Sequence, residues 1–369
     1  MSRIQRRTRS GWSRRFVPVV GAMAMLATIA SGCGDPDDSA DRPNDEGAQR
    51  PTITIVTYDS YVLDPEVEAA VEEALDVDLV ISASGDGAEA LAAAILTAGR
   101  PAGDIFFGVD NVVMSRALSE PVFVEFDREL VPNLDSVPEE LHLDSTGRLV
   151  PINVGPVCVD YDTGWFAERG IAPPTSFEEL ADPQYASLLV LEDPVTSTPG
   201  LAFLMATGVH FGNGAEQYWR SLLDGGALVV GGWSEAWYEQ YSVSGGERPL
   251  VLSYASSPPA EVFYSDGEVA EPASGVVEAT CVDQVEFAGV LAGSAHEELA
   301  TRVLNEMLSL EWQQSLPLAN FVYPARPDAE LPELFVQFAP RPSSSVMIDP
   351  AVVDEHRDDW IDTWRSIAG

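Results

Sequence analysis

From Thr52 to Tyr58, β-branched apolar residues alternate with polar ones, the two-residue period of a half-buried strand. Pro65 then opens a stretch in which Val67, Val71 and Leu75 recur on one face, predicting a helix to about Leu75. Val77–Ser82 predicts the next strand. Gly85-Asp86-Gly87 turns the chain into an alanine-rich helix over 88–98, which Gly99 ends. Asp104–Gly108 predicts a third strand. This βαβαβ order puts parallel strands in one sheet with helices on its faces. Side chains that reach a ligand in such a sheet belong on the loops that leave the strands. Here those loops are Tyr58–Tyr61, Ser84–Gly87 and Gly108–Asn111.

The middle of the chain repeats this pattern. Val154–Tyr161 predicts a strand at a chain crossing, and Thr175–Glu178 reads as a capping box that opens a short helix. Leu188–Glu192 runs into Asp193-Pro-Val-Thr-Ser-Thr-Pro-Gly200 and a further helix. Ala227–Gly231 leads to Gly232-Trp-Ser-Glu-Ala236, and Leu250–Tyr254 leads to Ala255-Ser-Ser-Pro-Pro259. Val276–Phe287 is an extended run that crosses back. Helices are expected over 295–310 and 350–367, the last with Trp360, Ile361, Trp364 and Ile367 on one face. The reading is an α/β chain of two lobes whose crossings frame a cleft. Lobe 1 takes 51–155 and 283–328; lobe 2 takes 156–282 and 329–369.

The start of the chain reads as an address. Residues 1–15 carry six Arg and no acid, an apolar run spans Phe16–Ala30, and Ser31-Gly32-Cys33 closes it. This is the plan of a secretory signal over 1–32, too short for an ordinary membrane helix, although an uncleaved anchor is the competing reading. Small residues before Cys33 predict lipidation there, with Ala30 standing where such boxes usually carry Leu. Arg14-Arg15 leaves both general and twin-arginine export open. Residues 33–50 form a lipidated cysteine and an acidic, polar tether. The folded part is thus expected on the outer face of the cytoplasmic membrane, periplasmic or at the cell surface.

Composition narrows the function. Of 369 residues, 59 are acidic and 20 basic, for a formal charge of −39, and every basic residue is Arg. Without Lys there is no P-loop lysine and no Schiff-base chemistry, and the acidic excess argues against nucleic acid. His296-Glu297 begins like a metalloprotease helix, but Ala300 stands where the second His belongs. No GxSxG elbow occurs, and no nucleophile has an evident base, so neither an enzyme nor a metal site is expected. Binding groups are more plentiful. Tyr58, Tyr61, Trp233, Trp237, Tyr254, Phe321 and Tyr323 fall at strand ends or adjacent turns, where their faces can stack on flat rings or attract cations. Each is equally readable as core packing. Asp59, Asp86, Asp104 and Asp110 share this class of loop as countercharges, with helix capping as the alternative for Asp110. At Thr196-Ser-Thr-Pro-Gly200, hydroxyls precede a helix start, a geometry that suits a phosphate or a simple N-cap.

Several of these words together resemble the bacterial thiamine-binding proteins that feed ABC importers. They are Thr57-Tyr-Asp-Ser60, Asp86-Gly87, Asp104–Asn111, Asp193-Pro through Thr196-Ser-Thr-Pro-Gly200, Gly232-Trp-Ser-Glu-Ala236, Leu252-Ser-Tyr254 with Ser257-Pro258, and Asn320-Phe-Val-Tyr-Pro324. They follow the family's order across most of 52–369. The resemblance implies a periplasmic-binding-protein fold of type 2, each lobe a mixed, mainly parallel sheet flanked by helices. It implies thiamine or a phosphate ester as ligand, an ABC permease as partner and no cofactor. Tyr58, Asp86, Gly87, Ser197, Trp233 and Tyr254 match family ligand positions. With Asp59, Asp110, Ser257 and Phe321 they make up the expected site. Phe321 stands where the family has Trp and Ala260 where it has a second Tyr, so Trp237, Phe263 or Tyr264 is expected to compensate. A thiamine precursor, a related heterocyclic cation or ferric iron remains the alternative ligand, although iron-binding relatives use adjacent tyrosines and none occur here. With Cys33 lipidated, Cys158 and Cys281 are the remaining thiols, both on crossing strands. A disulfide between them is expected in an oxidising compartment, against two buried free thiols. The receptor is expected to be a monomer held to the membrane by its lipid.

Overall fold

The computed structural model describes residues 50–369, and the signal, Cys33 and most of the acidic tether lie outside the described residues. Among the described residues ten strands form one sheet. In chain order they are β1 (Thr52–Thr57), β2 (Asp78–Ala83), β3 (Ile105–Asp110), β4 (Val150–Asp162), β5 (Leu189–Glu192), β6 (Leu228–Val230), β7 (Leu250–Tyr254), β8 (Ser274–Val290), β9 (Tyr323–Pro324) and β10 (Val346–Met347). The spatial order is β2-β1-β3-β8-β4-β7-β5-β6, with β9 on β4 and β10 on β8. The first trio, β2-β1-β3, is parallel, as the βαβαβ pattern requires, and so is β7-β5-β6.

Between the trios lie the two longest strands, β4 and β8, of 13 and 17 residues. They pair antiparallel with each other and with one trio each. Both are longer than their apolar runs suggest. The two sheets expected separately are joined through them into one. The crossings read from the sequence fall inside these strands at paired positions, Pro156 opposite Asp283. β3 is buried at all six positions, as is β4 from Val150 to Asp160, because helices and loops cover both faces.

Helix boundaries follow local chemistry. Asp64 caps the helix Pro65–Leu75 by accepting from the Glu66 and Val67 N–H groups. The helix expected over 295–310 is two helices, Glu297–Met307 and Leu310–Ala319. Ser309 ends the first run and caps the second through the Trp312 N–H. The C-terminal helix Pro350–Ala368 buries Ile361 and Trp364, and its Trp360 ring lies against Gly208, where any Cβ would come within 2.3 Å of it.

Cys158 on β4 and Cys281 on β8 form the expected disulfide, their Cα atoms 4.3 Å apart across a sequence separation of 123 residues. Closing so long a loop restricts the unfolded chain. Replacing both cysteines by Ser is expected to lower stability by about 2–5 kcal/mol. Chemical denaturation checks this; an unchanged midpoint would show that the sheet pairing alone holds the crossing together.

Asp160 on β4 and Glu192 on β5 are fully enclosed, and none of their four carboxylate oxygens has a hydrogen-bond partner among the described residues. Burial pushes both carboxyls well above the ordinary carboxylate range, with Glu261 adding to the effect at Asp160 and Asp86 at Glu192. The folded chain therefore holds protons that the unfolded chain has released. This contribution is complete below the unfolded value of about 4 and is lost as pH rises through the raised folded values. Asp160→Asn keeps the shape and removes the titration. Its melting temperature is expected to fall less steeply from pH 5 to pH 8 than that of the wild type, and parallel profiles would contradict the assignment.

Candidate ligand-binding cleft

The loops that leave β1, β2, β5, β6 and β7 open into one cleft of about 560 Å³, and β4 and β8 supply part of its wall. Two of its rings are seated on glycines. A Cβ on Gly108, where φ is +114°, would come within 2.8 Å of the Tyr58 ring, and one on Gly155 within 3.0 Å of the Tyr254 ring. Trp233 donates its indole N–H to Ser253 Oγ at 2.9 Å, and Ser253 is linked in turn to Ser257 Oγ at 2.9 Å. The Trp233 ring stacks on Trp237 at 5.8 Å and 12° between planes. Fixing both ends of the indole in this way presents one face at a set angle.

Asp86 ties the two parallel trios together. Its Oδ1 accepts from the N–H groups of Gly87 at 2.7 Å and Thr198 at 2.9 Å, and its Oδ2 from that of Trp233 at 3.1 Å. These donors belong to helix starts after β2, β5 and β6. Glycine permits the approach on both sides: a Cβ on Gly232 would sit 3.1 Å from Asp86 Oδ2, and one on Gly87 3.0 Å from the Thr198 methyl. Burial raises the Asp86 carboxyl, while these N–H donors pull the other way. At the mouth, Ser234 donates to Asp59 Oδ1 at 3.0 Å.

On the sheet side stand Asn153, Gln284 and Glu286. Glu286 Oε2 accepts from the Tyr58 hydroxyl at 3.0 Å and from Asn153 Nδ2 at 2.8 Å. Burial pushes the Glu286 carboxyl up to about 7 against these two donors, helped by the charges of Asp110 and Asp86. Asp110, paired with Glu286 across β3 and β8, is likewise raised to about 7 by burial. Tyr58 and Tyr254 are held well above the usual phenol range by burial and then by Glu286.

Eight of the ten expected ligand residues line the cleft: Tyr58, Asp59, Asp86, Gly87, Trp233, Tyr254, Ser257 and Phe321. Ser197 and Asp110 do not. Ser197 is fully buried and caps the helix Thr198–Phe211 through the Gly200 N–H. Asp110 is enclosed behind the cleft, where it accepts from the Val112 and Val113 N–H groups and from Gln284 Nε2. These N–H groups lie in the turn before the helix Met114–Ser119, whose N-cap is Val113 with no side-chain bond, so Asp110 closes a turn rather than capping the helix. Of the rings expected to compensate at Phe321 and Ala260, Trp237 and Tyr264 line the cleft, whereas Phe263 does not. Phe263 and Tyr264 both pack on Phe321, at 5.9 and 5.7 Å, and Phe321 adopts φ +52°, a left-handed conformation rare for an aromatic residue.

Asn153, Gln284, Glu286 and Tyr238 were not expected. The first three lie within strands, so a rule that looks only at loops passes over them. Their trace in the sequence is the pair Gln284 and Glu286, polar at alternate positions of an apolar run. Among the described residues no group of three or more His, Cys, Asp or Glu side chains is placed to hold a metal. Asp59, Asp86, Glu261 and Glu286 line the cleft, and among the described residues no Arg or His does.

The model of the bacterial extracellular solute-binding protein family matches residues 101–337. The thiamine-binding periplasmic protein of Brucella suis biovar 1 (strain 1330) is 30% identical over 328 residues, covering 85% of this chain and 91% of that protein. Its counterpart from Escherichia coli (strain K12) is 30% identical over 320 residues, covering 86% and 93%. Among solved structures, a periplasmic thiamin binding protein aligns with a TM-score of 0.76 at 27% identity, over 88% of this chain and 98% of that one. Iron-bound HitA from Pseudomonas aeruginosa aligns at 0.68 with 18% identity, over 86% and 99%, a likeness of fold alone. The chain thus has the two-lobed periplasmic-binding-protein fold, and it belongs to the bacterial extracellular solute-binding proteins, which carry solutes to transporters and are not enzymes.

Proposed function

We infer that this protein captures thiamine, or a phosphate ester of it, in the cleft and delivers it to an ABC permease outside the cytoplasmic membrane. The observation that carries this reading is the cleft itself: Tyr58, Trp233 and Tyr254 beside Asp59, Asp86, Glu261 and Glu286, with no basic side chain among the lining residues. Thiazolium is a permanent cation on a flat ring. Aromatic faces and carboxylates stabilise it with no proton exchange, by roughly 0.5–2 kcal/mol per ring depending on desolvation. The N–H groups of Gly87, Thr198 and Trp233 are taken up by Asp86, which fixes that carboxylate beside the ring-binding faces. The thiamine-binding relatives support the same ligand.

The lobes 51–155 with 283–328 and 156–282 with 329–369 close over the ligand about the two crossings in β4 and β8. Closure removes water and strengthens each electrostatic contact. The receptor acts as a monomer, held by the lipid on Cys33 with the acidic stretch after it as tether.

Calorimetric titration of the full chain in detergent with thiamine, its monophosphate and its pyrophosphate tests the ligand. One-to-one binding is expected, and Trp233→Ala should weaken it about tenfold or more through loss of a stacked, desolvated ring. Absence of heat and of any rise in melting temperature with all three would remove thiamine. For the anchor, Cys33→Ser is expected to move the protein from the membrane fraction to the soluble one; unchanged membrane retention would point to an uncleaved segment.

A further inference from the structure

Glu286 is 8% exposed and sits mid-sheet on β8, with Asp110 opposite on β3 and Asn153 opposite on β4. The protein's donors crowd onto one of its oxygens. Tyr58 Oη and Asn153 Nδ2 both donate to Oε2, while Oε1 accepts from no group among the described residues, and the side chain lines the open cleft. The neighbouring cleft amide, Gln284 Nε2, is already engaged by Asp110 Oδ2. A carboxylate oxygen that has no protein donor and loses its water when a ligand fills the cleft calls for a donor from that ligand.

On the reading that the ligand is thiamine, we propose that Glu286 decides which heterocycle the cleft accepts: its Oε1 takes an N–H of the exocyclic amine on the aminopyrimidine. The amine offers donors to an oxygen that needs one. A ring with a carbonyl in that place would set oxygen against oxygen and leave both unpaired. Sites built around such a hydrogen bond reject the mismatched analogue strongly, because the buried group is stranded.

The two donors on Oε2 give the proposal a sharp consequence. In Glu286→Gln, the Tyr58 hydroxyl and Asn153 Nδ2 require an acceptor, so the new amide must turn its oxygen toward them. Its NH2 then faces the cleft. The position changes from acceptor to donor with almost no change of shape.

The test is calorimetric titration of the full-length wild type and Glu286→Gln with thiamine and with its 4-oxo analogue, in which a carbonyl replaces the amine. Work at pH 8 lies above the carboxyl's raised value of about 7. Wild type is expected to prefer thiamine by about tenfold or more. In the variant thiamine should weaken by about tenfold or more while the oxo analogue holds or tightens, so that the preference shrinks or inverts. Both ligands carry the same thiazolium, so loss of the carboxylate charge cancels in the ratio. An equal loss for both ligands would overturn the assignment, as would a wild type with no preference between them; that second arm needs no substitution and is immune to a folding defect. A wild type that binds neither ligand would remove the thiamine reading and this inference together.

Discussion

A carboxylate taken out of water must find donors or a cation, and this cleft contains no basic side chain among its lining residues to supply the cation. Much of its architecture answers that requirement with neutral donors. Asp86 is met by three backbone N–H groups, Asp110 by two N–H groups and an amide, and Glu286 by a phenol and an amide. These partners hold the carboxylates in position without neutralising them. What remains unsatisfied is charge, and a flat organic cation is the kind of solute that supplies it while also offering a ring to stack.

The same constraint explains why the cleft lies where it does. Helix starts leave backbone N–H groups free for a carboxylate, and a doubly wound sheet lines up several at the carboxyl ends of its parallel strands. Here one start comes from β2-β1-β3 and two from β7-β5-β6, so Asp86 bridges the halves rather than capping one helix. Glycine at 87 and 232 sets how near the halves can come. β4 and β8 cover the remaining side, and because they run through both halves their polar residues face the cleft from the sheet itself.

Much of this was legible in the chain. Alternation and helical period located the strands and the loops leaving them, and those loops carry Tyr58, Asp86, Trp233 and Tyr254. What escaped has two physical causes. A hydroxyl or carboxylate before a helix can serve a ligand or its own backbone, and sequence spacing is the same for both. Ser197 and Asp110 were expected at the ligand and instead satisfy N–H groups of their own helix or turn. Conversely, Asn153 and Glu286 lie inside crossing strands, where the period shows only that a residue alternates. Whether the side so marked faces solvent, core or cleft depends on where a second strand, far away in sequence, happens to pair. Register alone places Glu286 beside Asn153.

Charge on the larger scale points the same way as charge in the cleft. A chain of formal charge −39 surrounds itself with a negative potential, and a concave site with low-dielectric walls concentrates it. An organic cation such as a thiazolium is drawn inward by that field toward the carboxylate oxygens and ring faces of the cleft. A phosphate ester meets a field of its own sign at long range, and the N–H groups at the helix starts are already occupied by Asp86.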